Sequence, residues 1–218
     1  LALQPSNTYS VTARPKVLDL FCGAGGCSMG YYRAGFDVFG VDLNPKPLRH
    51  YPFPHVCADA LEYCREHGRE FDVIHASPPC QAFSALRVLH PASPHSDLIP
   101  VTRAVLQSSG KPYIIENVPG APLIAPFQLC GSSFGLRVRR HRLFESSEFI
   151  FTPDCNHSWQ DSDKIWTIRQ RGRALETGIC YVFGHQENGQ TVEDWKAAMG
   201  IDWMTRDELS QAIPPAYT

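Results

Sequence analysis

The stretch VLDLFCGAGG (17–26) decides the fold. Its first five residues form an apolar run of the length and character of a buried parallel strand. The glycines that follow let the backbone turn sharply and come close to a ligand, and they open a helix toward it. CSMGYYRAG (27–35) reads as that helix, stopped at Gly35. FDVFGVD (36–42) is a second strand, ending in an acid. ADALEYCREHG (58–68) reads as a helix and FDVIHAS (71–77) as a strand. Residues 97–109 then put Leu98, Val101, Val105 and Leu106 on one helical face, and PYIIENV (112–118) is a further strand. This βαβα order predicts an α/β fold with a doubly wound parallel sheet. Ligands of such sheets bind outside the carboxyl ends of the strands, where residues 22–26, Asp42, 77–81 and 116–118 fall.

Composition agrees with one substantial domain. The 218 residues are 43 % hydrophobic and 19 % charged, which excludes a disordered chain. No apolar run approaches the roughly 20 residues of a membrane span, so no membrane partner is expected. LALQPSNTYS (1–10) has neither a basic segment nor an apolar one, so no secretory signal is expected there, and Leu1 in place of a methionine suggests a trimmed start. Eight cysteines raise the idea of a disulfide framework, but their glycine- and proline-rich neighbours point to a reduced, cytoplasmic protein. The net charge of −2 hides a strong asymmetry. RVRRHR (137–142) and KIWTIRQRGR (164–173) hold 8 of the 20 basic residues and no acid. Such strips are either solvated faces or tracks for phosphates. After about residue 145 the texture changes. All four tryptophans lie beyond it, and helical periodicity is weak until about 191. The expected division is therefore 1–145, a small irregular or β insertion at 146–198, and a tail, 199–218, returning to the main domain.

The glycine turn is not a dinucleotide fingerprint. G-x-G-x-x-G would need glycine at 28, where the chain has Ser28. Asp42, nineteen residues after Gly23 at the next strand end, suits ribose hydroxyls, so the pair implies a nucleoside cofactor without a diphosphate. A turn needed only for packing is the plainer alternative. In SPPCQ (77–81) two prolines fix the backbone before a thiol. A thiolate there would suit addition to an electron-poor carbon, although a buried structural cysteine is equally common. Glu116 in ENV (116–118) has the place of a general acid, or of a capping or ion-paired carboxylate. The arginines of RVRRHRLF (137–144) can hold a phosphate or a polar base edge.

LDLFCGAGG, SPPCQ, ENV and FGLRVRRHRLF, in this order and spacing, resemble the DNA cytosine-5 methyltransferases. The resemblance is close over roughly 16–144 and returns weakly at 199–215. It implies a Rossmann-like methyltransferase fold with a small target-recognition insertion, and S-adenosylmethionine as cofactor. It further implies methyl transfer to C5 of cytosine in double-stranded DNA, on a base flipped out of the helix. On that resemblance Cys80 adds to C6 of the ring, Glu116 binds N3 and the exocyclic amine, and Arg142 holds O2. Phe21, Gly23, Ala24, Gly25, Gly26, Asp42, Leu43, Asp59, Ala60, Pro79 and Gln211 would bind the cofactor. Gln81, Ser84, Arg140, Arg169 and Arg171 would meet DNA, with Arg140 either a phosphate or a structural contact.

Departures limit the transfer. The family usually has Glu where Asp42 stands and Asn where Gln211 stands. Val138 replaces a glutamine, and the loop after Cys80 lacks the usual glycine. A recognition region of at most 146–198 implies a short site of two to four base pairs or loose specificity, since each bidentate base contact discriminates by only about 1–3 kcal/mol. CNHSW (155–159) with His185 hints at zinc, but the spacing fits none of the common patterns, so no metal is expected. The expected protein is a monomeric bacterial or phage enzyme. An RNA or tRNA cytosine-5 methyltransferase is the alternative within the fold. A catalytically decayed DNA-binding or regulatory module is the alternative outside catalysis.

Overall fold

The computed structural model of the chain describes residues 13–80, 97–162, 166–170, 173–183 and 189–218. Strand β1 (Lys16–Leu20) lies at the centre of a seven-stranded sheet. It pairs in parallel with β2 (Asp37–Asp42) on one side and with β4 (Val73–Ala76) on the other. β2 carries the short β3 (His55–Cys57) and β4 carries β5 (Tyr113–Asn117), all parallel. Beyond β5 the sheet reverses: β7 (Arg142–Ser146) runs antiparallel to it and pairs with β6 (Phe127–Leu129). The order β3-β2-β1-β4-β5-β7-β6 is a doubly wound, Rossmann-like sheet with an antiparallel end. Its order changes direction between β1 and β4, so the ends of those two strands flank the crevice.

Alternation along β1 sets the two faces. Leu18 and Leu20, fully buried, pack with Val41, Ile74 and Ile115 against Cys64 of α3 (Ala60–His67) and Val105 and Leu106 of α4 (Ile99–Ser109). Val17 faces the other way, toward Tyr31 of α1 (Gly26–Arg33). Asp19 shares that second face, and burying a carboxylate there requires partners. It finds one in Ser28 of α1, whose hydroxyl donates to Oδ2 and is also bonded to the Tyr51 hydroxyl at 2.6 Å. The expected strands and helices of the first half are all present. α2 (Pro45–Leu48) and the strands β3 and β6, with three or four residues each, are additions.

The second half is fastened differently. β8 (Trp166–Gln170) and β9 (Arg173–Thr177) form a separate antiparallel hairpin, and α5 (Ser158–Ser162) precedes it. The expected boundary at 198 falls inside α6 (Val192–Met199), whose buried Trp195 and Met199 pack with Ile201, Met204, Leu209 and, from the glycine turn, Ala24. The tail then runs through α7 (Arg206–Gln211) to the floor of that turn. The Trp203 indole donates to the Ala24 carbonyl at 2.8 Å, and a Cβ on Gly26 would stand 2.3 Å from the Ile213 carbonyl oxygen. Only glycine admits that approach. Among the described residues no helix is long and apolar enough to cross a membrane.

Candidate active site

An open cleft of about 1890 Å³ lies along the carboxyl ends of β1, β2, β4 and β5. Its first wall is the turn after β1. Phe21 sits there with φ of 58°, a left-handed conformation that costs a non-glycine residue of order 1–3 kcal/mol. Gly23 follows at φ 54° with open space where a Cβ would be, so the backbone itself faces the cleft. Asp42 locks this turn. Its Oδ2 accepts from the Gly23 amide at 2.9 Å and its Oδ1 from the Asn44 amide at 2.8 Å. Each oxygen keeps a second lone pair for a ligand hydroxyl. Asp59 caps α3, its Oδ1 accepting from Leu61 and Glu62 at 2.9 Å each, and its other oxygen stays available. Leu43 is 68 % exposed against the same cleft and offers an apolar wall. Ala24, Gly26, Ala60, Pro79 and Gln211 line it too. Gly25 does not. It caps α1 in a left-handed conformation, and a Cβ there would stand 3.0 Å from the Tyr51 ring, so the turn needs glycine at this position.

Sequence reasoning missed Asp19. It lines the cleft at 1 % exposure, and its Oδ1 has no hydrogen-bond partner. Burial pushes its pKa up to about 7, a rise that the Ser28 hydroxyl only partly offsets. An orphaned carboxylate oxygen in a cleft fits a ligand ammonium group. The available signal was an acid inside an otherwise apolar strand, LDL (18–20).

The second wall carries the reactive groups. Cys80, half-buried, follows Pro78 and Pro79 at the end of β4. Asn117 fixes this segment to β5, its side-chain amide donating to the Pro78 carbonyl at 2.9 Å while its oxygen accepts from the Val118 amide. Glu116, one residue earlier, is buried and ion-paired with Arg142, Nε to Oε1 at 3.2 Å. Arg142 is brought there by β7, which pairs antiparallel with both β5 and β6. Burial raises the pKa of Glu116, and Arg142 pulls it back. Burial likewise pushes the Cys80 thiol up, with Arg142 lowering it and Glu116 raising it again. The three groups form one electrostatic unit with Arg142 at its hinge.

Arg140 has the structural one of its two expected roles. It is 7 % exposed, donates to the carbonyls of Val182 and Ser210, and so ties the tail to the sheet. Its two terminal nitrogens are so occupied, while its Nε is buried without a partner. The rest of the 137–142 strip is also engaged. Arg139 pairs with Asp161 and Gln160, and Arg137 lies over the Trp159 ring. Gln81, Ser84 and Arg171 lie outside the described residues. Arg169 belongs to β8, on whose side chains nothing bears. His185 is also outside, but Cys155 and His157 meet Cys130 and His141, a grouping that the sequence spacing did not reveal.

Residues 15–122 match the family model described as C-5 cytosine-specific DNA methylase. Type II methyltransferase M.XorII of Xanthomonas oryzae pv. oryzae is 31 % identical over 122 residues, covering 49 % of this chain and 29 % of that protein. Type II methyltransferase M.NgoPII of Neisseria gonorrhoeae is 25 % identical over 195 residues, covering 73 % of this chain and 57 % of its own length. The chain thus spans less than two thirds of the curated relatives it matches. Among solved structures, the Dnmt2 methyltransferase of S. pombe superposes with a TM-score of 0.62 at 14 % identity, over 94 % of this chain and 95 % of that one. The Entamoeba histolytica methyltransferase EhMeth gives 0.55 at 15 % identity, with 94 % and 95 % covered. At such identities the likeness is one of fold, and the fold is that of a Rossmann-like methyltransferase.

Proposed function

We propose that this chain, whose residues 15–122 match the C-5 cytosine-specific DNA methylase family model, transfers a methyl group from S-adenosylmethionine to C5 of cytosine in double-stranded DNA. The observation that carries the reading is that Cys80, Glu116 and Arg142 share one cleft with the acid-edged glycine turn. The cleft suits the cofactor. Asp42 and Asp59 offer acceptors for ribose hydroxyls and the adenine amine, Phe21 and Leu43 apolar surface, and the orphaned oxygen of Asp19 a counter-charge for the amino group. S-adenosylmethionine supplies an electrophilic methyl group when bound.

The chain's own residues prepare the base. C5 of cytosine is a poor nucleophile until the Cys80 thiolate adds to C6 and makes the ring enamine-like. Electron density then builds toward N3 and O2. Arg142 turns to O2 and gives up part of its hold on Glu116. Without that partner burial favours the protonated carboxyl, and that proton passes to N3 as the ring's basicity rises. After methyl transfer, loss of the C5 proton to a base such as water re-forms the 5,6 double bond and expels Cys80 as thiolate, while N3 returns its proton to Glu116. The C5 atom is unreachable within the stack, so the target base must be flipped into the cleft.

The test is tritium transfer from labelled cofactor to duplex DNA and, in parallel, to tRNA, with bisulfite sequencing to locate the mark. Labelled 5-methylcytosine in DNA is expected, at a short or loosely defined site. DNA carrying 5-fluorocytosine should trap a covalent adduct mapping to Cys80, because fluorine blocks the final elimination. Labelling of tRNA alone, or an active enzyme that yields no adduct, would sink the reading.

A further inference from the structure

Beside the start of β7, four side chains converge that methyl transfer does not use. Cys130 leaves β6, His141 immediately precedes β7, and Cys155 and His157 belong to the loop between β7 and α5. His157 Nε2 stands 3.3 Å from Cys130 Sγ and 3.0 Å from Cys155 Sγ, while His141 Nε2 stands 3.4 Å from Cys155 Sγ. The four candidate donor atoms all lie within 4.8 Å of one another. In a tetrahedral zinc site, with Zn–S of about 2.3 Å and Zn–N of about 2.0–2.1 Å, neighbouring donors stand about 3.3–3.8 Å apart. The observed set needs shifts of up to about an ångström to surround an ion.

We propose that Cys130, His141, Cys155 and His157 bind one structural Zn²⁺. Two thiols and two imidazoles are the donor set that selects zinc among divalent ions, since soft sulfur disfavours magnesium and calcium and four-coordination suits a d¹⁰ ion. Binding releases the two thiol protons, and the site Zn(Cys⁻)₂(His)₂ is then neutral. All four positions are filled by protein, which makes the ion structural and leaves no place for substrate. The loop is already laid against its partners without the ion. The Ser133 hydroxyl donates to the Asp154 carbonyl at 3.0 Å, and the Ser132 hydroxyl is 3.6 Å from Cys155 Sγ. The ion's consequence is positional. It joins the root of the 147–157 loop to the residue next to Arg142, fixing the approach to the base pocket from the side of the recognition segment.

The ligands are spread as C-x₁₀-H-x₁₃-C-x-H, which no short pattern search would collect. Hydrogen bonds between thiols and imidazoles alone would also draw these residues together, and so would a Cys130–Cys155 disulfide. Metal analysis of the full chain, purified without chelator, separates them. About one zinc per chain should survive dialysis, and replacement by Co²⁺ should give the visible absorption of a tetrahedral thiolate site. Cys155→Ala and His157→Ala should each lose the metal on dialysis, while Cys57→Ser, an exposed thiol elsewhere, retains it. Cys155 is exposed, so its loss leaves the core unchanged; a circular dichroism spectrum matching the parent confirms that variant as folded. Reduced parent protein that takes up no more Zn²⁺ than folded Cys155→Ala would overturn the proposal. So would mass spectrometry finding a Cys130–Cys155 disulfide in chains that bind no zinc after reduction.

Discussion

The two halves of the sheet are held together by different forces. β1, β2, β4 and β5 rest on parallel backbone ladders and on a continuous apolar core, so their polar groups are free to point into the cleft. From β6 onward, polar side chains do much of the fastening. Arg103 grips Glu145 through two bonds of 2.7 Å, Arg140 holds Val182 and Ser210, and Gln190 Oε1 accepts from the Tyr181 amide. Buried charge is costly to place and costlier to leave unpartnered. The first half can therefore lose a functional group and keep its shape, whereas the second half risks its shape when it loses a charge.

Substitution at the reactive thiol probes the first claim with the largest expected effect. Cys80→Ser should cut methyl transfer by more than about a thousandfold, as loss of a nucleophile does elsewhere. Its stability in urea should stay within about 0.5 kcal/mol of the parent, because the site is half-exposed. Arg140→Ala probes the other half. A buried carbonyl and a partly buried one lose their donor, the buried one at roughly 1–3 kcal/mol, so the urea midpoint should fall by an amount worth about 1–4 kcal/mol. Equal stability of Arg140→Ala and the parent would erase the distinction between the halves.

Asp19 sharpens the comparison, since among the described residues its Oδ1 is a buried carboxylate oxygen of the ladder-built half with no partner. Its pKa is raised from 3.8 to about 7, so between those values the folded chain keeps a proton that the unfolded chain has released. Stability should then fall as pH rises from about 4 to 7, by as much as about 4 kcal/mol, and level off above. Asp19→Asn should remove that slope and weaken S-adenosylmethionine binding about tenfold, read by calorimetry. An unchanged slope would mean that Asp19 titrates as it does in the unfolded chain. The smallest effect belongs to Gln211, exposed at the end of α7. Gln211→Asn should leave cofactor dissociation constant and turnover within about threefold, under about 1 kcal/mol.

The same contrast governs what the sequence made readable. Strands β1, β2, β4 and β5 announce themselves because each is a contiguous apolar run closed by a glycine, an acid or a proline, and the groups at their ends inherit that clarity. HVC (55–57) and FQL (127–129) are too short to carry a period. Arg140 resembled its neighbours in a basic run, and only the arrival of residues 182 and 210 turned it inward. That Gly25 must be glycine because Tyr51 lies against it is likewise invisible before the chain folds. Cys130, His141, Cys155 and His157 acquire a common purpose only after β6, β7 and the following loop are stacked. Local chemistry is written locally, and chemistry assembled across a loop is not.

The seat of Gly26 on Ile213 also bears on the order in which the cleft is completed. Residues separated by nearly the whole length of the protein close the floor beneath the cofactor turn, with Trp203 bonded to Ala24 and Thr218 to the Cys27 carbonyl. Contacts of such wide sequence separation are slow to form, because the intervening chain must surrender its freedom first. During synthesis the parallel strands can assemble while the ribosome is still at work. The turn after β1 stays without its floor until residue 213 has emerged, so the parallel sheet can form before the cleft is complete.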